Sequence, residues 1–277
     1  SAANYQLLSY RFEGQDLQHI KKGTSDAEAL TLQFWIKSPK AGTHIVELVD
    51  QDNSARHINK AYTVSQANTW QYITVTFPGD TTGVLGNDIN RSLDLNFWLM
   101  AGATYNSGTL QTSWGSDTNA NRAVGQVNCV DDAANNFYLT GVQLEVGSVA
   151  TPFEHRTFNE ELRLCQRYFQ FIGSGSVFPA RGSSSSDYIY SYITPVPLRT
   201  SPTVSTSNDL AHGTFSVRRY RDDAGASDST NTPTTSSSYF QSSANTIYLT
   251  QGGFTATDDR SAIIFISGGA ITLSAEL

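Results

Sequence analysis

From Leu30 to Lys37 the chain reads LTLQFWIK, with Leu30, Leu32, Phe34 and Ile36 on one face and Thr31, Gln33, Trp35 and Lys37 on the other. A period of two predicts a strand with one buried face. Thr43 to Asp50 (THIVELVD) predicts a second strand. WQYITVTFPGD, from Trp70 to Asp80, turns Ile73, Val75 and Phe77 inward and stops at Pro-Gly-Asp, a turn signal. LDLNFWLMAG (Leu93 to Gly102) turns Leu93, Leu95, Phe97 and Leu99 inward, and Asn135 to Gly147 predicts one more strand. Turn-rich stretches of roughly 10–20 residues separate these strands, and none carries a helix long enough for a parallel crossover. The pattern predicts an antiparallel sandwich or jelly roll.

One segment breaks the pattern. In TPFEHRTFNEELRLCQRYF, Thr157 and Glu160 have the spacing of a capping box, and Phe158, Leu162, Cys165 and Phe169 fall on one helical stripe. Glu160 and Glu161 precede Arg163 and Arg167, the order that suits the helix dipole. This predicts a helix of about three turns. Beyond Phe171 the chain alternates Ser/Thr/Gly tracts (GSGS, SSSSD, SDSTNTPTTSSS) with short strands in DYIYSYITPVPL, GTFSVRRY, NTIYLTQGGF and RSAIIFISGGAITLSAEL. The three prolines of PVPLRTSPTV (Pro195 to Val204) predict an edge strand there.

Charge and composition narrow the function classes. The net charge is −7, and the one basic cluster, RRYR (Arg218 to Arg221), is followed at once by Asp222 and Asp223. That argues against a grip on nucleic-acid phosphates. No apolar run reaches the ~18–20 residues that span a bilayer. Cys129 and Cys165 lack any metal-site spacing and are expected to be small buried hydrophobes. The chain opens SAANYQLLSY without an initiator Met and is expected to be part of a longer polypeptide.

Candidate chemistry is sparse. No HExxH, GxSxG or P-loop occurs, and no catalytic residue is assigned. Asp50, Asp52 and Asp80 are the carboxylates weighed for a hydrolytic pair, and Glu13, Asp16 and Glu145 those weighed for calcium, which wants several hard oxygens. The aromatics say more. Trp35 and Trp98 lie opposite the apolar stripes of their strands, as does Tyr72, with Trp70 two residues before it. Tyr105 and Trp114 fall in the polar loop AGATYNSGTLQTSWGSDTNANR. Flat rings with nearby amides hold sugars, the ring covering C–H faces and the amides taking hydroxyls. Trp114, Tyr105, Trp98, Trp35 and Tyr72 are therefore the expected glycan-binding residues. The competing expectation is that the chain's own parts or a neighbouring subunit cover these rings.

RFEGQDLQHIKKGTSDAEALTLQFWIKSPKAGTHIVELVD, AYTVSQANTWQYITVTFPGDTTG and above all GVQLEVGSVATPFE with ELRLCQRYF resemble a module of phage tail-fibre and other virion structural proteins over about residues 5 to 170. That module is similar to the jelly-roll carbohydrate-binding modules of polysaccharide-active enzymes. Thr140 and Gly141 stand where many such modules carry paired aspartates. The resemblance implies a jelly-roll domain over residues 1–156, a connecting helix over 157–170 and a smaller β-sandwich over 171–277. It implies a non-catalytic virion fibre component that recognises a host-surface glycan, usually as a homotrimer beside other virion proteins. A structural decoration or joining protein and a polysaccharide depolymerase are the alternatives. No cofactor is expected unless calcium binds, and neither nucleic acid nor membrane insertion is expected.

Overall fold

The computed structural model describes residues 1–173, 175–182, 188–207, 215–219, 230–231, 238–242, 246–251, 261–266 and 270–276. They are mostly β, in antiparallel sheets, and the chain divides between His155 and Arg156 into two compact units. Among the described residues no helix is long and apolar enough to cross a membrane.

The first unit holds β1 (Tyr5–Glu13), β2 (Leu30–Lys37), β3 (Gly42–Asp50), β4 (Arg56–Val64), β5 (Gln71–Phe77), β6 (Arg91–Ala101) and β7 (Tyr138–Val146). Two antiparallel sheets form, β1-β6-β3-β4 and β5-β2-β7. The predicted stripes face each other across the sandwich. Leu32, Phe34, Ile36, Val75 and Phe77 come from the smaller sheet, and Val46, Leu48, Ile58, Leu93, Leu95 and Phe97 from the larger. Phe34 meets Phe97 edge-on at 5.1 Å, a favoured aromatic geometry. The period of two decides these inward positions, and burying them out of water drives the two sheets together.

β1 and β4 escape the sequence reading. Among the described residues β1 is an edge strand paired only with β6, and six of its nine residues are exposed, so it shows no clean stripe. β4 carries Arg56, His57, Asn59 and Lys60 among its apolar residues, and its polar alternates are buried as well.

A buried lysine ties the loops at one end of the sandwich. Gly14–Ile20 forms a 3-10 turn that ends at Lys21, in the left-handed region at φ 50. The next side chain, Lys22, donates to Asp50 at the end of β3. It also lies 3.1 Å from Asp80 and donates to the carbonyls of Thr82 (3.0 Å) and Gly83 (2.9 Å). Arg56 answers Asp80 from its other side, with Nη2 3.1 Å from Oδ1. Four oxygens around one ammonium satisfy both the charge and its hydrogen-bonding capacity.

The second unit begins with the helix α1 (Phe158–Gln166). The predicted capping box is present: Thr157 accepts from the Glu160 amide, and Glu160 accepts from the Thr157 amide. The helix buries none of its residues, so Cys165 is exposed, against expectation, whereas Cys129 is buried as expected. Beyond it, β8 (Phe169–Ile172), β11 (Thr203–Ser207) and β17 (Ala270–Ser274) make one sheet in the order β11-β17-β8. β11 lies at the edge of that sheet but begins only after Pro202, so the three prolines of residues 195–204 precede the strand and only Thr203 and Val204 of that stretch fall in it. β9 (Val177–Gly182), β10 (Tyr188–Ile193), β12 (Phe215–Arg219), β13 (Thr230–Asn231), β14 (Ser238–Ser242), β15 (Thr246–Gln251) and β16 (Ser261–Ile266) make the other, in the order β13-β12-β16-β9-β10-β15-β14. Arg199 donates to the carbonyls of Ala275 (2.9 Å) and Glu276 (3.0 Å), while its amide donates to Arg167 (2.8 Å). The Ser-rich tract 183–187, residues 220–223 and most of 227–238 lie outside the described residues.

All four tryptophans lie in the first unit, so their fluorescence follows its unfolding. Lys22→Met removes the ammonium and leaves Asp50 buried without its cation. We expect urea denaturation, followed by tryptophan fluorescence, to show a loss of about 3–5 kcal/mol.

Candidate functional site

The two sheets of the first unit have outer faces of opposite fate. Along the centre of the larger sheet the outer residues are Ile45, Glu47 and Val49 of β3, His57 and Asn59 of β4, and Asp94, Asn96 and Trp98 of β6, all buried. The cover is the segment from Gly102 to Phe137. It hydrogen-bonds along β4, with the His57 amide donating to Gly115 (3.0 Å) and the Asn59 amide to Gln111 (2.8 Å). Its anchor is Arg122, whose guanidinium meets Glu47 through two hydrogen bonds of 2.7 Å. Asn96 donates to the same carboxylate at 3.0 Å, and Ser9 donates to Asn96 at 2.6 Å. A fork-to-fork pair supplies direction as well as attraction, which is how one arginine fixes a loop to a sheet.

This cover changes the standing of three expected ligand residues. Trp98 does point away from the sandwich core, as its alternation predicts, but it is only 1% exposed. Arg122 lies over its ring at 5.5 Å, and it clusters with Ile45, Ala123, Leu7 and Tyr105. Tyr105 is half-buried on a short helical turn, edge-on to Tyr5 at 4.9 Å. Trp114 is half-buried against the main core, donates through Nε1 to Pro78 (2.8 Å) and lies 5.2 Å from the Lys22 ammonium. These rings serve the cover and its electrostatics. The Gly/Ser/Asn composition of their segment read as an open loop, because composition does not show what a loop packs against.

The smaller sheet is the open one. Its outer face rises in cross-strand rows: Thr76, Thr31 and Glu145; Thr74, Gln33 and Gln143; Tyr72, Trp35 and Thr140; then Lys37 beside Tyr138. Residues 147–154 fold over the first two rows. Gln33 donates to the Thr151 carbonyl (2.7 Å), the Glu154 amide donates to Gln143 (2.8 Å), and the Thr151 amide donates to Glu145 (2.8 Å). The Thr151 hydroxyl and amide hold the Glu145 carboxyl below the usual carboxylate range.

Past that strap the face is exposed and aromatic. Trp35 is 46% exposed and Tyr72 47%, their rings 5.5 Å apart and tilted by 49°. Trp70 is 45% exposed and Tyr138 47%, with rings 6.3 Å apart. The two pairs are offset by two residues along the strands, about 6.6 Å. Gly141 makes this register possible. It takes φ +60 at a bulge opposite β2, so Thr140 and Tyr138 share the face that Gln143 and Glu145 occupy beyond it. A Cβ at Gly141 would come within 3.4 Å of Trp35 Cδ1.

Trp35 and Tyr72 thus come together as exposed partners, with Trp70 joining them. Tyr138 is the residue that sequence reading missed, because the bulge shifts the alternation it depends on. The expected helping amides are otherwise engaged: Tyr72 donates its hydroxyl to Gln33, Gln143 donates to Thr151 (3.3 Å), and Gln71 accepts from Ser65 (2.9 Å). Exposed polar groups beside the rings are the hydroxyls of Thr74 and Thr140.

Of the carboxylates considered for hydrolysis, Asp50 and Asp80 are buried and Asp52 is exposed. Asp50 and Asp80 hold Lys22, and Asp52 accepts from the Gly86 amide at 2.8 Å. Burial works to raise the Asp80 carboxyl, but hydrogen bonds from Arg56 and Lys22 outweigh it and hold it low. Glu13 is buried and accepts from Gln15 (2.7 Å), whereas Asp16 is exposed on the 3-10 turn. The fold does not gather Glu13, Asp16 and Glu145: among the described residues no three His, Cys, Asp or Glu side chains are placed to hold a metal ion. No protein-family model matches the chain, and no curated protein matches it.

His57 offers a probe of the cover. Its ring is fully buried, with Asp117 Oδ1 3.5 Å from Nδ1. Burial lowers its pKa; Glu47 and Asp117 work to raise it, and Arg122 to lower it. Burial likewise lowers His44, against a hydrogen bond to the Lys40 carbonyl. Below the ordinary histidine value of about 6.5 the unfolded chain binds more protons than the folded one, so stability rises with pH there. We expect the urea midpoint of the first unit to fall as pH drops from 7 through 6. The part due to His57 should vanish in His57→Gln, read by the same fluorescence.

Proposed function

We propose that the chain is a non-catalytic adhesion component of a phage virion fibre that binds host-surface glycans through the exposed aromatic face of β5-β2-β7. The observation that carries this reading is the pairing of Trp35 with Tyr72 beside Trp70 and Tyr138, all on one open sheet face. Exposed rings in a flat array cover sugar C–H faces, and the flanking Thr74 and Thr140 hydroxyls suit sugar hydroxyls. Large contiguous exposed apolar patches mark interaction sites. The sequence resemblance to tail-fibre modules with a jelly-roll fold points the same way. So does the use of Asp50, Asp52 and Asp80 for internal hydrogen bonds, which favours adhesion over hydrolysis of a polysaccharide. On this reading the glycan platform consists of Trp35, Tyr72, Trp70 and Tyr138, and Trp98, Tyr105 and Trp114 support the fold around it. A homotrimer in the virion would multiply weak single-site contacts into firm attachment.

A second reading, a structural joining or decoration protein, is favoured by different residues. β1 is an edge strand with Leu8 and Tyr10 exposed, and α1 exposes Phe158 and Leu162. Unpaired strand edges and apolar faces are templates for assembly. Sedimentation analysis that gives a stable oligomer, together with a glycan array that gives no hits, would select it.

The adhesion reading is tested by Trp35→Ala and Tyr72→Ala. Each is expected to weaken glycan or host-cell binding by roughly ten-fold or more, with little change in melting temperature. Trp98→Ala should do the reverse. It empties a buried ring site, so it should destabilise the first unit by about 3–5 kcal/mol and leave the platform's affinity unchanged wherever the unit is folded. Equal binding by all three variants would overturn the assignment of the platform.

A further inference from the structure

The chain has five lysines, all in its first 60 residues, and four of them are answered from within the protein. Lys21 pairs with Glu28 (3.3 Å), Lys22 with Asp50 and Asp80, and Lys40 with Asp131 (2.9 Å). Lys60 donates to the Thr112 carbonyl at 3.2 Å. Lys37 differs. Among the described residues no carboxylate or carbonyl pairs with it, and its contact is with a ring, Nζ lying 5.4 Å from the centre of Tyr138.

Its position gives that difference meaning. Lys37 is the last residue of β2, directly across from Tyr138 and two residues from Trp35 on the same face. The rings of Trp70 and Tyr138 approach to 6.3 Å at this end of the face. The carboxylate of the same face, Glu145, lies at the far end, in the row of Thr31, and is held by Thr151. The exposed platform therefore carries a cation with no internal counter-ion, partly sheltered from water by aromatic rings. A cation so placed attracts an anion more strongly than a fully solvated one does.

Resting on the glycan reading above, we infer that the platform takes a saccharide bearing an anionic group, a carboxylate or a phosphate. Lys37 holds the anion and the rings of Trp35 and Tyr72 hold the adjoining sugar. The offset between these two rows is about 6.6 Å, within the reach of one or two sugar units. The net charge of −7 does not forbid this. At physiological ionic strength charges beyond about 8 Å are largely screened, so the nearest cation decides the local preference.

The test uses the intact chain and paired probes. Uronate-bearing polysaccharides from bacterial surfaces are titrated in native and carboxyl-reduced form, and phosphodiester-bearing ones in native and dephosphorylated form. Calorimetry is run on the wild type and on Lys37→Met, at low and at high salt. The native forms should bind the wild type roughly ten-fold more tightly than their neutral counterparts. High salt should close that gap, and so should Lys37→Met. Which native class binds tells carboxylate from phosphate. Equal binding of native and neutral forms by the wild type, or a gap that survives in Lys37→Met, overturns the inference and leaves the glycan platform standing. No binding of either form by the wild type overturns the glycan reading itself, and this inference with it.

Discussion

Glu47 sits in the middle of the outer face of the larger sheet with no exposed surface, so its charge must be met by the protein itself. Arg122 meets it through two hydrogen bonds of 2.7 Å, with Asn96 as a third donor. Taking both groups out of water is costly, and it is recovered only because the geometry is bidentate and the remaining lone pairs are used. The pair therefore fixes where residues 102–137 must run. Once that segment is laid down, Trp98 is sealed beneath it, Tyr105 is drawn in beside Trp98, and β4 gains hydrogen-bond partners along its edge. The centre of the larger sheet, along β3 and β6, is thereby buried on both faces, one by the core and one by its own chain, while Ser9, Arg11, Ala61 and Thr63 on the edge strands stay exposed.

The smaller sheet is covered differently, and less. Its strap, residues 147–154, is held by the side chains of Gln33, Gln143 and Glu145, so it reaches only the rows those residues occupy. Two rows remain outside it. They are filled with rings that stay exposed at 45–47%, a large apolar area for the protein to leave wet. Cross-strand ring pairs such as Trp35 with Tyr72 add a little to sheet stability, but smaller strand formers such as Thr also suit a solvated face. An interaction surface explains their size better than the fold does.

Much of the fold was legible because it follows from local periodicity. β2 spans the predicted Leu30–Lys37, and the Thr157–Glu160 box starts the helix where its spacing says it should. The candidate site was legible only by halves. Trp35 and Trp98 have the same alternation within their strands, and both point away from the core as that alternation requires. What separates them is tertiary: a loop pinned by Arg122 covers one, while the strap stops short of the other. No local pattern carries that difference, because Glu47 and Arg122 are far apart in sequence and each alone looks like a surface charge. Tyr138 was hidden for another reason. The bulge at Gly141 moves β7 by one residue relative to β2, so counting by twos from Gln143 arrives at Leu139 instead.

The amides expected to take sugar hydroxyls turn out to hold the protein together, with Gln33, Gln71 and Gln143 all hydrogen-bonded internally. That leaves the platform rich in ring surface and poor in fixed hydrogen-bond donors. A surface of this kind gains affinity mainly from covering apolar faces, and it discriminates weakly among neutral sugars, because each has such a face to offer. On the glycan reading, selectivity then comes from the few polar groups present. Thr74 and Thr140 can act as donor or acceptor and adapt to many partners, whereas the Lys37 ammonium donates only and carries charge. On the proposed reading, the rings set how tightly the face binds, and the one unanswered lysine sets what it prefers.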